Sequence, residues 1–193
     1  MWRALFLLAL LSLAGCAGKP TTYLALAPIS PVQPHSAGGL PALAVGSVDI
    51  PPAIGRRQFT AATAAGTLHV SGKIEWAGPL GPMARIVLAQ DLAARLPEAK
   101  VLMPGDPVPP NGAASVHVSM QEFMPDGAGS VALQADWFVT APQAGGLLAQ
   151  GRFSRALPCG KSPAAQAREM SGLLAHLADT IARGLLSRAG GSL

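Results

Sequence analysis

The sequence predicts an α+β fold: a mainly antiparallel sheet with two helices packed on one face. Three features predict it. Residues 115–123, 131–140 and 147–157 alternate apolar with polar side chains and are joined by short Gly-containing links, the pattern of an antiparallel meander. Two other segments, ending near Leu96 and Leu185, carry apolar residues at helical spacing. The 193 residues include 22 Gly and 18 Pro, too many turn formers for a bundle of long helices. An amphipathic helix needs an apolar surface to lie on, and the strands supply one.

The N-terminus reads as a targeting segment. Arg3 precedes an apolar run, Ala4 to Leu13. That run is far shorter than the about 20 residues that span a bilayer. It closes in Leu13-Ala14-Gly15-Cys16, which resembles a bacterial lipobox. The resemblance implies cleavage after residue 15 and lipidation of Cys16, with palmitate among the acyl chains. Several chains on one residue hold a domain stably on a membrane. Ala17, where Asp would favour inner-membrane retention, points to the outer membrane. Only Cys159 is then left, so the mature chain has no internal disulfide.

Residues 16–40 hold the lipidated Cys, a tether and a first strand near Tyr23–Ala27, before the Pro- and Gly-rich stretch 28–39. The domain proper runs over 41–188, with a tail at 189–193. Leu43–Ile50 alternates as a strand, and Pro51-Pro52 ends it. Gln58–Thr63 and Leu68–Trp76 read as a hairpin; in the second arm Leu68, Val70, Ile74 and Trp76 share one face, expected to be buried. A helix is expected over 79–96, with Pro82 tolerated in its first turn and Leu88, Leu92 and Leu96 in one stripe. Asp91 and Arg95 read as an i,i+4 pair, worth a few tenths of a kcal/mol at most.

A short strand at 100–103 and a Pro-rich loop follow, then the meander. Its inward set is Val116, Val118, Met120; Val131, Leu133, Ala135, Trp137, Val139; and Leu147, Ala149, Phe153. The last helix is the clearest element. Ser162 caps it, Pro163 sits at its first position, and Met170, Leu173, Leu174, Leu177, Ile181 and Leu185 line one face. Glu169, His176, Asp179 and Arg183 face away from that stripe.

The chemistry of common enzyme sites is missing. His35, His69, His117 and His176 have no metal-ligand spacing, so neither a metal nor another cofactor is implied. No G-x-S-x-G elbow is present. Gly160-Lys161-Ser162 lies between strand and helix, but a phosphate-binding loop needs Gly at the position held by Arg155. The acids are dispersed, with no acid/base pair. The net charge of +4 is scattered and aromatics are 5%, which argues against nucleic acid. The expectation is a protein that is not an enzyme.

Residues 48–80, VDIPPAIGRRQFTAATAAGTLHVSGKIEWAGPL, carry a resemblance. The strand ending in Ile50-Pro51, the Arg57-Gln58 pair and the run Glu75-Trp76-Ala77-Gly78-Pro79-Leu80 entering a helix are similar to the signature of the ABC-type transport auxiliary lipoproteins, the PqiC/YmbA-like family. Tyr23-Leu24-Ala25-Leu26 resembles the family's first strand. The Pro between Arg and Gln is absent, and Glu75 and Gly78 replace an Arg and an acid. The resemblance implies a periplasmic lipoprotein beside an MCE-domain substrate-binding protein, in a system moving phospholipids or other hydrophobic molecules between inner and outer membranes. It implies a docking subunit rather than a catalyst; self-assembly is compatible with such a partner.

Candidate partner-binding residues are Arg56, Arg57, Trp76, Trp137 and Phe138. Trp76 reads first as core, and Trp137 and Phe138 point to opposite faces of one strand, so one of them lies on whatever face the helices leave bare. The alternative function is a lipid carrier or envelope chaperone with its own apolar pocket. A docking subunit exposes a flat patch or sheet edge; a carrier encloses a deep cavity.

Overall fold

The computed structural model describes residues 20–36, 40–63, 65–142 and 145–189. The predicted signal peptide, lipobox and Cys16 lie outside the described residues, as do Gly190-Gly191. Among the described residues eight strands and two helices follow in the order β1 (Thr22–Leu24), β2 (Leu43–Asp49), β3 (Gln58–Ala62), β4 (Leu68–Trp76), α1 (Leu80–Arg95), β5 (Val101–Leu102), β6 (Ala114–Pro125), β7 (Ser130–Thr140), β8 (Leu147–Pro158) and α2 (Pro163–Ala189). The α+β class and both helices stand as the sequence predicts.

The sheets are mixed rather than mainly antiparallel. A five-stranded sheet has the order β5-β2-β6-β7-β8, and a three-stranded one the order β1-β4-β3. The meander β6-β7-β8 is antiparallel, but β2 runs parallel to both β5 and β6, and β1 parallel to β4. The cause is connectivity: a hairpin and α1 intervene between β2 and β6, and such a crossover returns the chain in the same direction. Alternation within one strand carries no information about its neighbour's direction.

Both helices lie on one face of the five-stranded sheet, α1 against β2 and α2 against β7 and β8. The inward face of β7 is buried along its whole length at Val131, Leu133, Ala135, Trp137 and Val139. Across the interface Leu88, Leu92 and Leu96, and Leu173, Leu174, Leu177 and Ile181, are fully buried. At about 1.5–3 kcal/mol per large apolar side chain removed from water, this layer is the main source of stability. Ser162 Oγ accepts from Ala165 N at 3.2 Å, so the predicted cap forms.

Two expected apolar faces are broken by irregular pairing. The β3–β4 ladder shifts register between Gln58 and Thr60, and Ser71 Oγ accepts from Lys73 N and Ile74 N. This turn carries the hairpin tip away from the core, so Leu68 and Val70 are exposed and only Ile74 and Trp76 pack inward. In β8 the shift between Val139 and Thr140 turns Leu147 out, while Ala149 and Phe153 stay buried.

The Asp91–Arg95 pair is not solvated. Both residues are buried in a polar knot that ties residues 27–36 to the helices. Asp91 Oδ1 accepts from Ile29 N at 2.7 Å. Arg95 donates to Ile29 O at 3.0 Å and to Asp91 O at 3.1 Å, and ion-pairs with Asp179 on α2. Ala27 N donates to Ser171 Oγ of α2 at 3.1 Å, and His35 N to Arg95 O at 2.7 Å. The Pro-rich stretch is therefore a strap bonded across both helices, at least to Ser36, which reaches Glu98.

Candidate docking surface

The helices leave the other face of the five-stranded sheet bare. Register sets its side chains in rungs across β6, β7 and β8: His117–Phe138–Gln150, then Ser119–Asp136–Arg152, then Glu122–Gln134–Ser154. Phe138 is 44% exposed and stacks on the His117 ring, with centroids 4.8 Å apart. His117 Nδ1 lies 3.2 Å from Ser47 Oγ. Arg152 Nε donates to Asp136 Oδ1 at 2.9 Å, and Gln121 Nε2 to Asp136 Oδ2 at 3.2 Å. Gln134 Nε2 donates to Glu122 Oε2 at 3.0 Å. Asp136 is paired with Arg152, Glu122 is hydrogen-bonded only to the neutral Gln134, and Phe138 and Leu147 are the exposed apolar points of the face. Between them runs a shallow groove of about 510 Å³, floored by Gly151 and walled by Asp136, Gln150 and Arg152.

The five sequence candidates do not gather in one place. Trp76 is 1% exposed and meets Phe59 in a tilted ring pair at 5.5 Å, so it is core and not a contact residue. Trp137 is buried under α2, leaving Phe138 as the open-face aromatic. Arg56 and Arg57 are exposed, on the loop leading into β3. Arg57 Nε lies 3.7 Å from Glu75 Oε2. A screened pair of that kind contributes little to stability. The rest of the face was hidden in the sequence because its polar residues read as ordinary solvated strand positions.

The family-like stretch 48–80 is a structural corner. Pro51 O accepts from Ile54 N and Gly55 N, turning the chain after β2. Trp76 N donates to Arg57 O and Ala77 N to Leu24 O, locking β4 to the chain on both sides. Trp76 and Leu80 are then buried at the start of α1. Trp76 and Leu80 of this stretch serve packing, whereas Arg57 and Gln58 stay exposed.

No group of three His, Cys, Asp or Glu side chains that could hold a metal occurs among the described residues. Cys159 is half-buried, and burial, then Asp126 and Glu169, push its thiol above the ordinary range.

Residues 23–182 match the family model described as the ABC-type transport auxiliary lipoprotein component. The chain belongs to this family. No curated protein matches it. Several solved structures match it, and two of them share its fold over most of both chains. One, titled only as an uncharacterized protein, aligns with a TM-score of 0.70 at 19% identity, over 86% of this chain and 98% of its own. The other, a Xanthomonas campestris protein assigned to DUF330, aligns with a TM-score of 0.66 at 16% identity, over 89% of this chain and 99% of its own. The family is described as an auxiliary component of transport, and the expected resemblance is thereby met.

Proposed function

We propose that this chain is a non-catalytic docking subunit of an intermembrane lipid-transport system. It is held by acylated Cys16 on the periplasmic face of the outer membrane, and it engages an MCE-domain substrate-binding protein. The observation that carries the reading is the asymmetry of the five-stranded sheet. One face is sealed by α1 and α2, and the other presents Phe138 on ordered polar rungs. An exposed aromatic on a hydrogen-bonded polar platform suits a protein contact. The carrier alternative finds little support in the interior. Among the described residues the apolar cavity bounded by Leu40, Leu43, Ala114, Leu148 and Leu185 measures about 10 Å³, and the larger depressions of about 510 and 290 Å³ are open surface grooves, whereas typical ligand pockets enclose several hundred Å³.

The test is to cross-link intact envelopes, isolate the tagged full-length protein and identify its companions by mass spectrometry. The expected result is an MCE-domain protein, recovered with wild type and lost with Phe138→Asp. Stoichiometric lipid with no transporter partner would overturn the reading in favour of a carrier.

A further inference from the structure

The strap carries a second surface. Residues 20–36, PTTYLALAPISPVQPHS, contain no Asp, Glu, Lys or Arg. Tyr23, Ile29 and Val32 expose 58%, 38% and 101% of their area. Pro28, Pro31 and Pro34 recur every third residue, and so do Ile29 and Val32. Three residues per turn is the period of polyproline II, which sets such positions on one side of the chain. The strap's backbone is anchored at Ile29. Ile29 is fixed through both its N–H and its C=O, to Asp91 and Arg95. Beside them an open apolar groove of about 290 Å³ runs between Tyr23, Ala27 and Ile29 on the strap and Ala164, Ala167 and Arg168 on α2.

We propose that this strap surface lies against the bilayer, its occupant being the leaflet that receives the protein's own acyl chains. The inference rests on the lipid-anchor part of the functional reading. The length of chain between anchor and domain argues for it. Thr22 is six residues from Cys16, a span of about 20 Å at full stretch. The first strand is thus kept close to the membrane surface. An uncharged, apolar, amphipathic-aromatic segment at that height suits the headgroup boundary, where a tyrosine keeps its hydroxyl wet and its ring buried. Anchoring by acyl chains alone would leave the domain free to swivel; contact through Tyr23, Ile29 and Val32 gives it one orientation. With no charge on the strap, the contact is apolar and insensitive to salt.

The test uses the full-length acylated protein, with Cys159→Ser so that a single thiol can be placed at will. Cysteines at Tyr23, Ile29 or Val32, and at the exposed controls Val70 and Val108, are labelled with an environment-sensitive NBD dye. Each protein is reconstituted alone into phosphatidylethanolamine/phosphatidylglycerol vesicles. The expected result is blue-shifted, several-fold brighter emission at 23, 29 and 32, quenched by doxyl lipids and unchanged by high salt, with water-like emission at 70 and 108. Equal, water-like emission at all five positions would overturn the proposal, as would a shift seen only when a transporter partner is added, which would make the strap a protein contact. Intact mass of the same samples separates the two readings. Acylated protein with a water-exposed strap sinks the orientation alone, whereas an unmodified Cys16 sinks the anchor and the orientation with it. Val32→Asp, at a fully exposed position, is a second check: it is expected to weaken quenching at position 23 while Cys16 stays acylated.

Discussion

The indole of Trp137 lies directly over Gly184 of α2: a Cβ on that glycine would stand 2.6 Å from the ring's Cη2 atom. Gly151 on β8 gives the same ring its second seat, where a Cβ would meet Cζ2 at 2.8 Å. Sheet and helix approach each other here because neither backbone carries a side chain under the ring. Ala at 184 would gain about 1 kcal/mol of helix propensity, but the rigid indole has nowhere to move in a packed core. Overpacking of this kind costs about 1–3 kcal/mol. Gly184→Ala is therefore expected to lower stability by up to about 2 kcal/mol in urea unfolding, instead of raising it by the propensity gain. In a Trp137→Phe background the penalty should disappear, leaving the propensity gain. Equal effects in both backgrounds would show that the two residues are not coupled.

The buried knot makes a pH prediction. Asp91 is pushed up to about 6, first by burial, against the hydrogen bond from Ile29 N and the Arg95 charge, with Asp179 adding to the rise. A carboxyl with a raised folded-state pKa holds its proton more tightly in the folded chain. Its contribution to stability is greatest below the ordinary value near 3.8 and is lost as pH rises towards 6. A shift of that size corresponds to about 3 kcal/mol at most. His176 acts oppositely, since burial, the largest cause, and then Arg155 lower its pKa. Comparison with Asp91→Asn isolates the Asp91 share. The amide still accepts from Ile29 N, and Arg95 keeps Asp179. Urea unfolding at pH 4.5 and 7.5 should show a smaller loss of stability with rising pH in the variant than in wild type; identical losses would refute the assignment.

How much of this was legible can be judged element by element. β7 was readable because five inward residues alternate without interruption, and α2 because its stripe repeats over most of its length. The Asp91–Arg95 knot was not. An acid and a base four apart look the same whether they face water or a strap, and here the covering residue, Ile29, lies 62 positions from Asp91. Leu147 was misplaced by a register shift, since one irregular residue swaps the faces of what lies beyond it, and Leu68 and Val70 because the outer half of β4 leaves the core and is open on both faces. Of the candidate site, Phe138 was legible from strand parity; His117 beneath it was not, because pairing of β6 with β7 sets that stack.

Cys159 is expected to be a sluggish thiol. Burial raises its pKa, and Asp126 and Glu169 oppose the thiolate further. At neutral pH its alkylation by iodoacetamide should run several-fold slower than that of an unstructured cysteine peptide and reach the peptide's rate once the chain is unfolded in urea. A rate equal to the peptide's in the folded chain would contradict the half-buried placement.

Trp76 and Phe138 separate stability from docking. Trp76 is enclosed beside Phe59, and truncating a large buried aromatic costs about 3–5 kcal/mol. Trp76→Ala should unfold at markedly lower urea and be depleted from envelopes with its partner, so its loss of function would say nothing about contact. Phe138 loses only its stack on His117, on a face open to water. Phe138→Ala should cost no more than about 1 kcal/mol, the worth of an exposed aromatic pair, while capture of the MCE-domain protein falls sharply. The two measurements together discriminate. A Phe138 variant that is stable, acylated and membrane-bound yet still recovers its partner at the wild-type level would remove the open face from the docking surface. A stable variant that loses the partner makes that face the contact.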